Sequence, residues 1–319
     1  MTPLRRRAAA FLLLAFMSAP ASAAITDLDI VVPAAPGGGY DLTARAMQAA
    51  LVGAKLVPNV NIVYEPGRGG VLALDKLANE WRADEAIVMT TGFVMLGAVS
   101  ASRAGKLLDG ITPIALLAEE PEAIVVPKDS RYKTLMELLG AVRGTPGAVA
   151  FAGGASGGID HILVALIGAQ IGVSPALMPY LPHAGGGDAL VTLLRGQATA
   201  AVGGVSEFLV PLRDGRLRAL AVSSRVRVAS IDAPTLAQAG INLSLMNWRG
   251  LIAPPDVGRA HQRALSQVIA QMVKTPQWQG SLKQYGWTGQ FLPDERFGDY
   301  FQGERKKIDT AVQALRLGP

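Results

Sequence analysis

The chain of 319 residues contains no cysteine. Disulfide staples, thiolate metal sites and cysteine nucleophiles are excluded together. A chain of this length builds a core without staples. Aromatic residues make up only 6%, so stacking on bases or sugars is not its recognition theme. Charged residues are 17% against 50% hydrophobic, a balance that excludes a disordered chain. Thirty-six glycines and 20 prolines interrupt helices too often for a coiled coil. Only three histidines occur, His161, His183 and His261, and none falls in an H-x-x-x-H or H-E-x-x-H pattern. A metal site built from Asp160, His161 and His183 therefore has no spacing to support it, and no metal or cofactor is expected.

What is present begins with a leader. Arg5, Arg6 and Arg7 precede an apolar run over residues 8–17, Pro20 breaks it, and Ala21-Ser22-Ala23 supplies small residues. This is the pattern of a signal peptide over residues 1–23, cleaved after Ala23. The run is too short for a membrane anchor, which needs about 20 residues. Losing three arginines takes the formal charge from +5 to +2. No dense basic stripe remains, so no nucleic-acid partner is expected. The basic clusters at residues 213–218 and 305–307 read as solvated faces. The expected location is the periplasm, and a monomer is the default.

Behind the leader, strand-like and helix-like stretches alternate. Strands are read at 28–32, 61–64, 86–89, 114–117, 123–126, 148–151, 178–180, 198–202 and 217–222. Helices are read at 41–51, 71–81, 134–142, 159–171, 188–195 and 206–212. From residue 255 onward everything reads as helical. The length suggests about two domains. Repeated strand–loop–helix units place the chain in the α/β class, with open sheets flanked by helices. Ligands bind such sheets where strand ends meet helix starts.

Three of those junctions are glycine loops: residues 37–39, 153–158 and 185–187. Glycine lets the backbone approach a ligand closely, and the helix that follows points its positive end at the same spot. The combination is an anion site that needs no arginine. Asp41 is placed to cap the first helix and to pair with Arg45 four residues on. The first loop lacks the Gly-Lys-Ser/Thr of a Walker loop and the G-x-G-x-x-G of a dinucleotide site. The plainer alternative is three tight turns. A second is a secreted serine hydrolase. Gly154-Ala155-Ser156-Gly157-Gly158 matches G-x-S-x-G and follows a strand, and His161 or His183 with Asp188 would complete a triad on paper. The chain order opposes it, because that fold places its histidine after the acid.

At these loops the sequence resembles the tripartite tricarboxylate transporter substrate-binding receptors, the Bug family. The resemblance rests on Pro33-Ala34-Ala35-Pro36-Gly37-Gly38-Gly39-Tyr40-Asp41, Glu65-Pro66-Gly67-Arg68-Gly69-Gly70, Gly157-Gly158-Ile159-Asp160-His161 and Gly185-Gly186-Gly187-Asp188. Ser206-Glu207-Phe208, residues 217–223 and 232–236, and Asn247-Trp248-Arg249-Gly250 fit as well. It implies a two-lobe, type II (Venus-flytrap) periplasmic binding protein that is not an enzyme. Residues 24–122 plus 247–319 would form one lobe and residues 123–246 the other, each a sheet flanked by helices. Crossing strands would fall near residues 118–126 and 245–253.

The resemblance further implies capture of a di- or tricarboxylate for the membrane subunits of a tripartite transporter. A sensor served by the same receptor would look identical in sequence. The ligand-binding residues it implies are Gly37, Gly38, Gly39, Tyr40, Asp41, Gly154, Ser156, Gly157, His161, Tyr180, His183, Gly186 and Asp188. His183 stands where members often carry Tyr-x-Gly-type loops. It is either an added donor to the ligand or an exposed loop residue.

Overall fold

The computed structural model describes residues 25–183 and 185–315. The leader lies outside the described residues. The chain opens with three strand–helix units: β1 (Asp27–Val32), α1 (Gly39–Gly53), β2 (Asn59–Tyr64), α2 (Val71–Asn79), β3 (Ile87–Gly92) and α3 (Phe93–Ala101). Both β2 and β3 pair with β1 in parallel, as short crossover helices require. The 16-residue β4 (Thr112–Pro127) follows.

The second run of units comprises α4 (Leu135–Gly144), β5 (Phe151–Gly153), α5 (Ile159–Gln170), β6 (Tyr180–Pro182), α6 (Gly186–Leu194), β7 (Ala200–Gly204), α7 (Val205–Arg213) and β8 (Leu217–Val222). The chain then returns through β9 (Met246–Ala253), α8 (Arg259–Met272), α9 (Pro276–Tyr285), β10 (Thr288–Pro293) and α10 (Asp294–Leu315).

The strands form one continuous sheet with the order β2-β1-β3-β9-β4-β7-β5-β6, and β8 and β10 also pair with β4. Residues 112–121 of β4 pair with β9, and residues 122–127 pair with β7 and β8. One strand thus belongs to both halves of the sheet. One core cluster packs residues from the first 118 positions against Trp248, Phe297 and Phe301, and takes in Ile159, Ile162 and Ala165 of α5. Two more clusters fill the half between residues 123 and 241.

Three elements differ from the sequence reading. Residues 114–117 and 123–126 belong to the single strand β4, because Pro121 and the acids around it are buried within the strand instead of breaking it. The C-terminal region is not wholly helical. β10 pairs antiparallel with β4 across a bulge, and its Thr-Gly-Gln-Phe-Leu-Pro sequence has little strand character without that partner. The helix α3 was not anticipated. Its residues are apolar on nearly every side and nearly all buried, so no amphipathic period marks it.

Only two described helices have side-chain caps. Thr134 and Glu137 form a reciprocal capping box on α4, and Thr275 accepts the Trp278 amide of α9. Thr134→Ala is expected to cost about 1 kcal/mol, lowering the melting temperature by about 2–3 °C in a calorimetric scan. The helices α1, α5, α6 and α7 instead start at Gly38, Gly158, Gly185 and Gly204, with no capping side chain. Their first amides remain available to something else.

Candidate functional site

The glycine-started helices converge. The loop after β1, the loop after β5, the start of α6 and the junction of β7 with α7 border one cavity of about 60 Å³. Gly38, Gly39, Tyr40, Gly154 and Gly186 line it, as the sequence reading expected. Gly37, Asp41, Ser156, Gly157, His161, Tyr180, His183 and Asp188 lie outside the lining.

Several of those outer residues hold the loops in shape. Asp41 is not the cap of α1, which is Gly38; it sits one turn inside and is buried. Its carboxylate accepts the Gly37 amide at 2.8 Å, the Tyr64 hydroxyl at 2.6 Å and Arg45 Nε at 2.9 Å. Burial acts to raise the Asp41 carboxyl, but these bonds outweigh it and hold it below the usual carboxylate range. The turn they fix carries Gly37 at φ +91°, a backbone that favours glycine.

His161 Nδ1 accepts the Gly157 amide at 3.1 Å, which places any neutral-ring proton on Nε2. Its ring stacks on Tyr180 with centroids 4.2 Å apart, and burial lowers its pKa. The Tyr180 hydroxyl donates to the Gly154 carbonyl at 2.9 Å. His183 is tied to the scaffold. Its Nδ1 donates to the Gly153 carbonyl at 3.2 Å, and its Nε2 accepts from Thr192 Oγ1 at 2.7 Å. Ser156 and Asp188 are exposed, and no hydrogen bond joins Ser156 to a histidine among the described residues. The paper triad is therefore not assembled. No three His, Asp or Glu side chains form a metal-ligand group among the described residues.

The sequence reading missed the charged side chains around the cavity. Glu207 and Arg249 line it, together with Asp160 and Asn247. The buried ion pair between Arg249 Nη2 and Glu120 Oε1 sits behind them, with side chains 4% and 0% exposed. Glu120 also accepts Trp287 Nε1 at 3.0 Å and the Ser206 amide at 3.3 Å, and the Arg249 guanidinium lies 5.0 Å from the Trp287 ring centroid. Asp160 accepts the Gly154 amide at 2.6 Å. Glu122 is buried behind it with neither carboxyl oxygen hydrogen-bonded.

Burial and the neighbouring Asp160 push Glu122 well above the carboxylate range, and burial raises Asp160 as well. Glu207 is pushed up to about 8, first by burial and then by Asp160, while the amides of Gly39, Gly186 and Gly204 pull the other way. One signal was available: Arg249 stands in an otherwise apolar strand, and Glu119, Glu120 and Glu122 interrupt another. A charge inside a doubly covered strand needs a partner, and the partner here comes from 129 residues away.

A family model described as "Tripartite tricarboxylate transporter family receptor" matches residues 43–317. Protein BugT of Bordetella pertussis is 29% identical over 252 residues, covering 76% of this chain and 76% of that protein. Among solved structures, MatC from Rhodopseudomonas palustris with bound malate superposes with a TM-score of 0.79 at 23% identity, covering 90% of this chain and 99% of that one. A second R. palustris protein, solved with adipate, gives 0.82 at 19% identity, covering 92% and 98%. The α/β fold expected from the sequence is that of these binding proteins.

Proposed function

This chain belongs to the tripartite tricarboxylate transporter receptor family, and from that premise we propose that it captures a di- or tricarboxylate in the periplasm and presents it to the membrane subunits of a tripartite transporter. The observation that carries the reading is the convergence of four uncapped, glycine-started helices on one cavity. Amides and positive helix ends aimed at one spot favour a negative group there. MatC holds malate and its relative holds adipate, which fits the same chemistry.

Residues 24–122 plus 247–319 act as one lobe and residues 123–246 as the other, with β4 and β9 crossing between them. A cavity of about 60 Å³ has room for about two waters at ~30 Å³ each, so a C4–C6 acid enters only with the lobes parted. Gly37, Ser156, Gly157, His161, Tyr180, His183 and Asp188 then act by shaping the loops or by meeting the ligand as the cleft closes. Three or four charge-assisted bonds of ~1.5–3 kcal/mol each, less ordering costs, give about −8 kcal/mol, a micromolar affinity.

Thermal-shift screening of citrate, other tricarboxylates, C4–C6 dicarboxylates and aromatic acids tests the reading. At ten times its Kd the right acid adds about 1.4 kcal/mol, a rise of about 3 °C. If no acid in that set shifts the melting temperature, the carboxylate reading fails.

A further inference from the structure

A cavity built only to hold an anion would not place a carboxylate among its donors. This one does. Gly39 lies between two side chains of opposite charge. A Cβ at Gly39 would overlap the Arg249 guanidinium, while the Gly39 amide acts on the Glu207 carboxylate. Both side chains border the same cavity.

Arg249 is only half used by the protein. Its Nη2 is paired with Glu120, but its Nη1 is buried without a hydrogen-bond partner, on a side chain only 4% exposed. A buried guanidinium nitrogen left unpaired is costly, and an incoming carboxylate oxygen removes the cost. Glu207 is likewise held against the start of α6, where a Cβ on Gly186 would overlap it. Around it stand Asp160 of α5, Glu122 and Glu120 of β4, Tyr180 of β6, Tyr40 of α1 and Arg249 of β9. Acids outnumber the one cation, so a purely acidic ligand meets repulsion on this side.

We propose that Arg249 and Glu207 are a specificity pair that selects carboxylic acids carrying a hydroxyl or ammonium group beside the acid group. Arg249 Nη1 takes the carboxylate and Glu207 accepts from the neighbouring donor. The cavity is small enough that one short fragment spans both. This rests on the carboxylate reading above and adds to it which acids are preferred.

Isothermal titration of the mature chain at pH 7 tests it, using two series of equal length: succinate, malate and aspartate, then glutarate, 2-hydroxyglutarate and glutamate. At whichever length binds, the substituted acid is expected to bind at least 10-fold more tightly than the plain one. Glu207→Leu removes the acceptor, and the preference should shrink to within about 2-fold while the plain acid still binds. Glu207→Gln keeps an acceptor, so the hydroxy acid should retain its advantage and the ammonium-bearing acid should lose it. Arg249→Lys keeps a charge for Glu120 but not the free nitrogen, and every acid should weaken at least 10-fold. If that variant does not fold, judged by circular dichroism, the two Glu207 variants decide.

A plain acid that binds wild type as tightly as its substituted partners, or a preference that survives Glu207→Leu, overturns the inference and leaves the carboxylate reading standing. No binding by any acid, including those of the thermal screen, ends both.

Discussion

Gly97→Ala is expected to weaken carboxylate binding by at least about 100-fold, about 2.7 kcal/mol, without lowering the melting temperature of the unliganded protein. Gly97 lies midway along α3. A Cβ there would overlap the Gly157 carbonyl oxygen and come within 3.0 Å of its carbon and 3.2 Å of Gly158 Cα. These atoms belong to the loop that starts α5, on the far side of the cavity. They are backbone, so they cannot swing away as a side chain would.

The relief open to the protein is to part the two regions, which removes the shape that grips the ligand. In the parted state the methyl group meets nothing else, and alanine is better than glycine inside a helix by about 0.5–1 kcal/mol. Loss of binding with stability kept is therefore the signature of a wedge, and titration calorimetry beside thermal melts reads both. Wild-type affinity in this variant would show that α3 and the 157–158 loop do not approach in the bound form.

The second large effect is on stability against pH. The melting temperature of the unliganded protein is expected to fall between pH 6.5 and 8.5. Glu207 moves from an ordinary 4.5 in the unfolded chain to about 8 in the folded one. Between those values the folded protein keeps a proton that the unfolded chain has released. Its stabilising contribution is complete below 4.5 and is lost as pH rises through 8. Glu122 and Asp160 are raised and act in the same direction.

His161, lowered from 6.5, works the other way but only below that pH, and Asp41, lowered from 3.8, matters only in acid. From pH 6.5 to 8 one such group is worth about 2 kcal/mol, or about 4–6 °C. Glu207→Gln should flatten the slope in scans at constant ionic strength. A wild-type curve that stays level or rises over this range would mean that the acids are ionised and accommodated.

Local signals account for what the sequence disclosed. Apolar runs ending in Gly37–Gly39 or Gly153–Gly154 marked strand-to-helix junctions, because glycine and its neighbours determine that geometry within a few residues. What stayed hidden depends on partners far along the chain. β10 is a strand because β4 lies beside it, and Glu120 is tolerated because Arg249, Trp287 and the Ser206 amide surround it. Glu207 and Arg249 stood inside quoted motifs, yet nothing nearby in sequence said that they would face each other's cavity. Ser156 and His183 drew notice for their chemistry, and the fold leaves one exposed and spends the other on scaffold bonds.

The shared strand β4 also governs how the molecule is made. The two clusters between residues 123 and 241 draw on one uninterrupted stretch of chain, so a nascent polypeptide can complete them midway through synthesis. The cluster around β1 cannot close until Phe297, Phe301, Ile308 and Val312 of α10 arrive at the very end. The earliest strands made are the last to be sealed, and trimming the C-terminal helix injures the opposite end of the sequence.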